Sequence, residues 1–137
     1  MRLRFPAVLA AACLFTPLAH AQSGGMTMSN HHILRIDVTM SNFAYAPSRI
    51  DMPAGSEVQL HLVNSSSSGH DFSAPDLFAA STIAPEDRAK VSDGGIEVEG
   101  GETVDVRFTP TKPGTYEIRC THFLHTSFGM KGTAVVQ

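Results

Sequence analysis

The chain has 137 residues, of which 42% are hydrophobic and 17% charged, with no tryptophan and a formal net charge of −3. That length supports one domain around one core. The acidic balance argues against nucleic acid, whose binding proteins present basic patches, and there is neither a long-period repeat nor a coiled-coil heptad.

Residues 1–21 have the layout of a secretory signal peptide. Arg2 and Arg4 supply the charged start, residues 7–15 a short apolar run, and Ala19-His20-Ala21 a small-residue cleavage site. Pro6 and Pro17 interrupt the apolar run, which is too short to span a bilayer as a helix, so no membrane span is expected. A lipid-attachment box at Cys13 fits less well, because apolar residues continue beyond the cysteine. Cleavage after Ala21 would make the protein periplasmic or otherwise exported. It would also remove Arg2 and Arg4, leaving eight Lys+Arg against thirteen Asp+Glu, a net of −5. A docking partner steered by charge would then be basic. Of the two cysteines only Cys120 would remain, so no disulfide could form within the monomer. A lone thiol in an oxidising space is a buried inert residue, an intermolecular bridge or a metal ligand.

Residues 22–32 are rich in Gly, Ser and Asn and are expected to form a flexible lead-in, followed by one domain over residues 33–137. Met26, Met28, His31 and His32 in the lead-in are soft or borderline ligands, but a polar tail is the simpler reading. Leu34, Ile36, Val38 and Met40 alternate with polar residues, the period of a half-buried strand. Val58, Leu60 and Leu62 repeat that pattern and put His61 on the polar face as a surface histidine. The serine-rich residues 64–69 form a turn that delivers His70. Residues 75–95 break the rhythm, and a helical turn is expected from Pro85 to Lys90. Alternation resumes at Ile96 and Val98, then at Val104, Val106 and Phe108, and after a Pro/Gly turn at Tyr116 and Ile118. Residues 132–136 complete the set. Short strands with Gly/Pro punctuation predict an all-β Greek-key antiparallel sandwich or barrel, with a short helical or irregular insertion around residues 75–95.

The chemistry concentrates in Cys120-x4-His125-x4-Met130. Thiolate, imidazole and thioether on one loop suit copper: soft sulfur for Cu(I), borderline nitrogen for Cu(II), a weak axial thioether. A second imidazole is needed from elsewhere, and His70 is the candidate. Cys120 shares a strand face with Tyr116 and Ile118, so its sulfur points toward the core. Tyr116 itself reads as core or corner packing.

Over residues 34–136 the chain resembles the cupredoxin family, the type 1 blue copper proteins such as plastocyanin and azurin. The resemblance rests on Phe43-x-Tyr45-x-Pro47, Gly55, Asn64 with Gly69-His70, Pro113-Gly-Thr-Tyr116-x3-Cys120, and the Cys120-x4-His125-x4-Met130-x-Gly132 loop. It implies one copper ion cycling between Cu(I) and Cu(II), held equatorially by His70, Cys120 and His125 and axially by Met130. It also implies a monomeric one-electron carrier rather than an enzyme, docking a redox partner near His125 through Leu124 and Phe128. The alternative is a copper storage, delivery or tolerance protein without a dedicated redox partner.

The chain departs from the resembled pattern at Asp71, where Asn is usual, at Leu124, where Gly is usual, and in the extra imidazole of His122. His122 lies too close to Cys120 to replace His125. Multicopper oxidases flank the cysteine with histidines that bind a trinuclear cluster, whereas here the flanks are Arg119 and Thr121. Zinc is disfavoured because methionine is a poor zinc ligand and no general base is apparent.

Overall fold

The computed structural model describes residues 32–122 and 130–137. The expected signal peptide and nearly all of the lead-in lie outside the described residues, as do Leu124, His125 and Phe128; His32 is described and exposed.

Among the described residues, ten strands form two five-stranded sheets that face each other. The strands are β1 (Leu34–Ser41), β2 (Ala44–Ala46), β3 (Arg49–Met52), β4 (Val58–Asn64), β5 (His70–Ser73), β6 (Ser81–Ile83), β7 (Gly95–Val98), β8 (Thr103–Pro110), β9 (Gly114–Arg119) and β10 (Lys131–Val136). The first sheet runs β2-β1-β4-β8-β6 and the second β3-β10-β9-β5-β7. Period-two alternation does what the sequence implies. Val38 and Met40 of β1, Leu60 and Leu62 of β4, and Val106 and Phe108 of β8 turn inward. They meet Ile50, Met52, Phe72, Ile96, Val98, Ile118 and Val136 from the second sheet. Each such side chain contributes about 1.5–3 kcal/mol by leaving water.

The sandwich is as expected, but its sheets are mixed rather than antiparallel throughout. β1 pairs with β4 in parallel from Leu34↔Val58 to Met40↔Asn64, and β3 pairs with β10 in parallel from Arg49↔Thr133 to Met52↔Val136. Inward and outward residues alternate identically in either pairing, so hydrophobic pattern alone could not tell them apart.

The insertion contains two short helices. A five-residue helix α1 (Pro75–Ala79) precedes β6, and a 3-10 helix (Pro85–Lys90) follows it with Pro85 at its start. Leu77 and Phe78 of α1 are buried against the core, and the Phe78 ring lies 5.4 Å edge-on from that of Phe108. Five residues are too few to display a helical period, which is why α1 escaped the pattern while Pro85 flagged its neighbour.

Candidate metal centre

His70 is delivered by a turn organised from within by Asn64. The Asn64 side chain is buried and donates to the carbonyls of Ser68 at 2.7 Å and Val98 at 2.9 Å. Its oxygen accepts from the Ser66 N–H at 3.0 Å and the Ser66 hydroxyl at 2.8 Å. Both donors and both lone pairs of the amide are thereby used. The turn presses against Gly100, where a Cβ would stand 2.4 Å from the Ser67 carbonyl oxygen, so no larger residue fits.

His70 itself is fully buried, with Nδ1 3.9 Å from the Sγ of Cys120. Cys120 follows directly on β9 and is equally buried. Its N–H donates to the carbonyl of Met130 at 3.2 Å, which ties the two ends of the intervening loop together, and Met130 is fully buried. Burial pushes the Cys120 thiol up from an ordinary 9.0 to about 11, the nearby Asp71 carboxylate adding to the shift. The backbone N–H groups of Asp71 and His122 hydrogen-bond the sulfur and pull the other way, favouring thiolate.

Asp71, on β5 beside His70, touches more of this region than any sequence pattern suggests. Its carboxylate accepts the N–H and the hydroxyl of Thr121, each at 2.6 Å, and its carbonyl accepts the Tyr45 hydroxyl at 2.5 Å. Burial, followed by the charges of Cys120 and Asp71, pushes the Tyr45 hydroxyl well above its ordinary value and keeps it a donor. The Phe43-x-Tyr45-x-Pro47 segment thus reaches the His70 strand through Tyr45. Phe43, at the turn before it, has a left-handed φ of 65° and is 43% exposed.

Of the four residues proposed from the sequence, His70 and Cys120 therefore meet side chain to side chain, and Met130 joins through its backbone. His125 lies outside the described residues. Among the described residues, no group of three or more His, Cys, Asp or Glu is arranged to hold an ion. His122 stands at the rim, its Nε2 2.9 Å and 3.1 Å from the two carboxylate oxygens of Glu97, with its ring 6.4 Å from that of His70. The Glu97 partnership and the Asp71–Thr121 contact were not foreseen from sequence, although Asp71 had stood out as a departure.

His61 does lie on the polar face of β4, but half-buried and 2.8 Å from Asp105 rather than freely exposed. Tyr116 is a corner residue, donating its hydroxyl to the Lys112 carbonyl at 2.8 Å. Among the described residues no helix is long and apolar enough to cross a membrane.

Comparison with known proteins adds to this geometry. The family model for the cupredoxin-like domain matches residues 7–136. The uncharacterized protein RP394 of Rickettsia prowazekii (strain Madrid E) is 23% identical over 97 residues, which cover 71% of this chain and 66% of that protein. Among solved structures, dithionite-reduced auracyanin from Roseiflexus castenholzii superposes with a TM-score of 0.58 at 21% identity, covering 75% of this chain and 96% of that one. Auracyanin A, a "blue" copper protein from Chloroflexus aurantiacus, gives 0.56 at 21% identity, covering 76% and 98%. A multicopper oxidase gives 0.58 at 16% identity, covering 76% of this chain but 38% of the oxidase. The shared fold, and a family match that spans almost the whole chain, place this protein in the cupredoxin-like domain family.

Proposed function

We propose that this protein is an exported one-electron carrier that holds a single copper ion with His70, Cys120, His125 and Met130. The observation that carries the reading is the 3.9 Å approach of the His70 Nδ1 to the Cys120 Sγ inside the core. At that separation the sulfur and the nitrogen are close enough for one ion to be held by both. The donor set, one thiolate, two imidazoles and one thioether, fits copper better than zinc or a hard cation. Auracyanin A, described as a blue copper protein, shares the fold, which supports the same reading.

Copper, when bound, supplies a one-electron couple. The chain's own residues supply rigidity. His70 leaves β5 from a turn whose amide core is fully hydrogen-bonded, and Cys120 leaves β9 tied to Met130. Neither ligand can swing far, so little rearrangement would accompany a change of oxidation state. The N–H groups of Asp71 and His122 favour charge on the sulfur, and burial of His70, Cys120 and Met130 keeps water from their side chains.

The test is spectroscopic. Protein loaded with Cu(II) should be intensely coloured through charge transfer from the Cys120 thiolate. Cys120→Ala should abolish the colour, whereas Met130→Leu should keep it and shift the potential. His125→Ala should open a position that added imidazole fills, and His122→Ala should leave the spectrum nearly unchanged. Binding of zinc alone, or colour that survives loss of Cys120, refutes the site. A coloured protein that exchanges electrons with no redox partner would instead be a copper storage or delivery protein.

A further inference from the structure

Strand β8 is paired unequally on its two sides. β4 pairs with it from Thr103 to Phe108, whereas β6 reaches only Phe108 to Pro110. From Asp105 to Arg107 the second side meets Ala84 and the 3-10 helix Pro85–Lys90 instead of a strand. There the Arg107 N–H donates to the Asp87 carboxylate at 2.8 Å, and the Arg107 carbonyl accepts the Ala84 N–H at 2.9 Å. The Asp105 carbonyl accepts the Lys90 ammonium at 2.7 Å, and that ammonium also bonds the other oxygen of Asp87 at 2.7 Å. Asp87 is 5% exposed. Burial acts to raise its carboxyl, but the bonds from Lys90 and the Arg107 N–H hold it below its ordinary 3.8, so it is ionised. A carboxylate is acceptor-only and an ammonium donor-only. The two side chains thus offer an acceptor to a strand N–H and a donor to a strand carbonyl, as a neighbouring strand would.

We propose that this helix is an edge guard: Asp87 and Lys90 occupy the pairing groups of β8 and keep a second copy of this chain from adding there as a strand. An open row of backbone donors and acceptors is a template for another chain. β8 is suited to pair with itself. Asp105 and Arg107 turn backbone groups to the guarded side, which makes them the hydrogen-bonded positions of an antiparallel pair. A two-fold axis at Val106 would set Asp105 of each copy opposite Arg107 of the other. Opposite charges facing each other across strands favour that register. Nothing in this pairing depends on copper.

The test is self-association of the purified chain, read by sedimentation across a concentration series. Asp87→Ala should tighten it at least about tenfold over wild type, or about 1.4 kcal/mol. Hydrogen exchange at the Arg107 amide gives a second reading. In dilute Asp87→Ala protein it should be faster than in wild type, and protection should return as concentration rises. A merely structural role for Asp87 would speed exchange equally at every concentration. Adding Asp105→Lys to Asp87→Ala sets like charges opposite each other and should return the protein to a monomer. If Asp87→Ala does not fold, Lys90→Met is read in its place. It frees only the Asp105 carbonyl and should give a smaller tightening of the same sign. Folded variants no more associated than wild type overturn the guard. So does a dimer that Asp105→Lys leaves intact, or one that leaves the Arg107 amide unprotected.

Discussion

Two polar networks sit on this sandwich, and they are built in opposite ways. Around Asn64, His70, Asp71 and Thr121 the groups are buried or nearly so, and the bonds run between segments far apart in sequence. On the outer face of the first sheet, Arg35, Asp37, Gln59, His61 and Asp105 form a charged array, with Arg35 and Asp37 49% and 62% exposed. In the first network an unmet group has no water to turn to, so every broken bond is costly. In the second, solvent replaces what is lost and screens what remains. Rigidity is therefore concentrated where the metal ligands are proposed to be, while the outer face serves solubility.

The largest effect expected from breaking this contrast is at Asn64. Asn64→Ala removes both donors that hold the Ser68 and Val98 carbonyls and frees the turn before His70. Unfolding by denaturant should report a loss of about 2–4 kcal/mol. A loss below about 1 kcal/mol would mean that the turn holds itself.

Next comes pH, where the two networks respond at opposite ends. The Cys120 thiol is raised by burial from 9.0 to about 11 in the folded protein. Copper-free protein therefore has that group's full contribution below about pH 9 and loses it as pH rises toward 11. Cys120→Ser should flatten that alkaline decline. Because the metal takes the thiolate, copper affinity should rise about tenfold per pH unit over the neutral range if one proton is released. Asp105 behaves in the reverse sense. The Gln59 hydrogen bond lowers it, burial opposes, and His61 adds to the lowering. Its contribution is present above the ordinary 3.8 and disappears as pH falls through the depressed folded value. Asp105→Asn should produce a small change confined to acid unfolding, and a change at neutral pH as large as that of Asn64→Ala would undo the contrast.

The smallest effect belongs to Arg35. Its guanidinium pairs with Asp37 at the open surface, where screening leaves such pairs little net worth. Arg35→Ala should leave the denaturation midpoint unmoved within error.

Much of this was legible in the sequence where physics acts locally. Alternation in β1, β4 and β8 reports which face is wet, and it identified those strands and their buried residues. The spacing of Cys120 and Met130, with a turn ahead of His70, singled out residues of which His70 and Cys120 meet side chain to side chain and Met130 meets Cys120 through its backbone. What escaped depends on contacts between distant segments. Parallel pairing of β1 with β4 leaves no mark on the pattern of either strand. Thr121 gives no sign in sequence that it faces Asp71, fifty residues earlier, and an asparagine before four serines reads as a turn, not as the buried amide that holds one.

The parallel pairing of β3 with β10 has a consequence for how the chain is made. β10 lies inside the second sheet, between β3 and β9. Arg49 on β3 must wait for Thr133 before it has a neighbour, and Cys120 must wait for Met130. Closing so long a loop is slow, because its entropy is lost before the contacts compensate. The second sheet joins segments from both halves of the chain. Completion of the second sheet, and with it the bond between Cys120 and Met130, thus depends on β10.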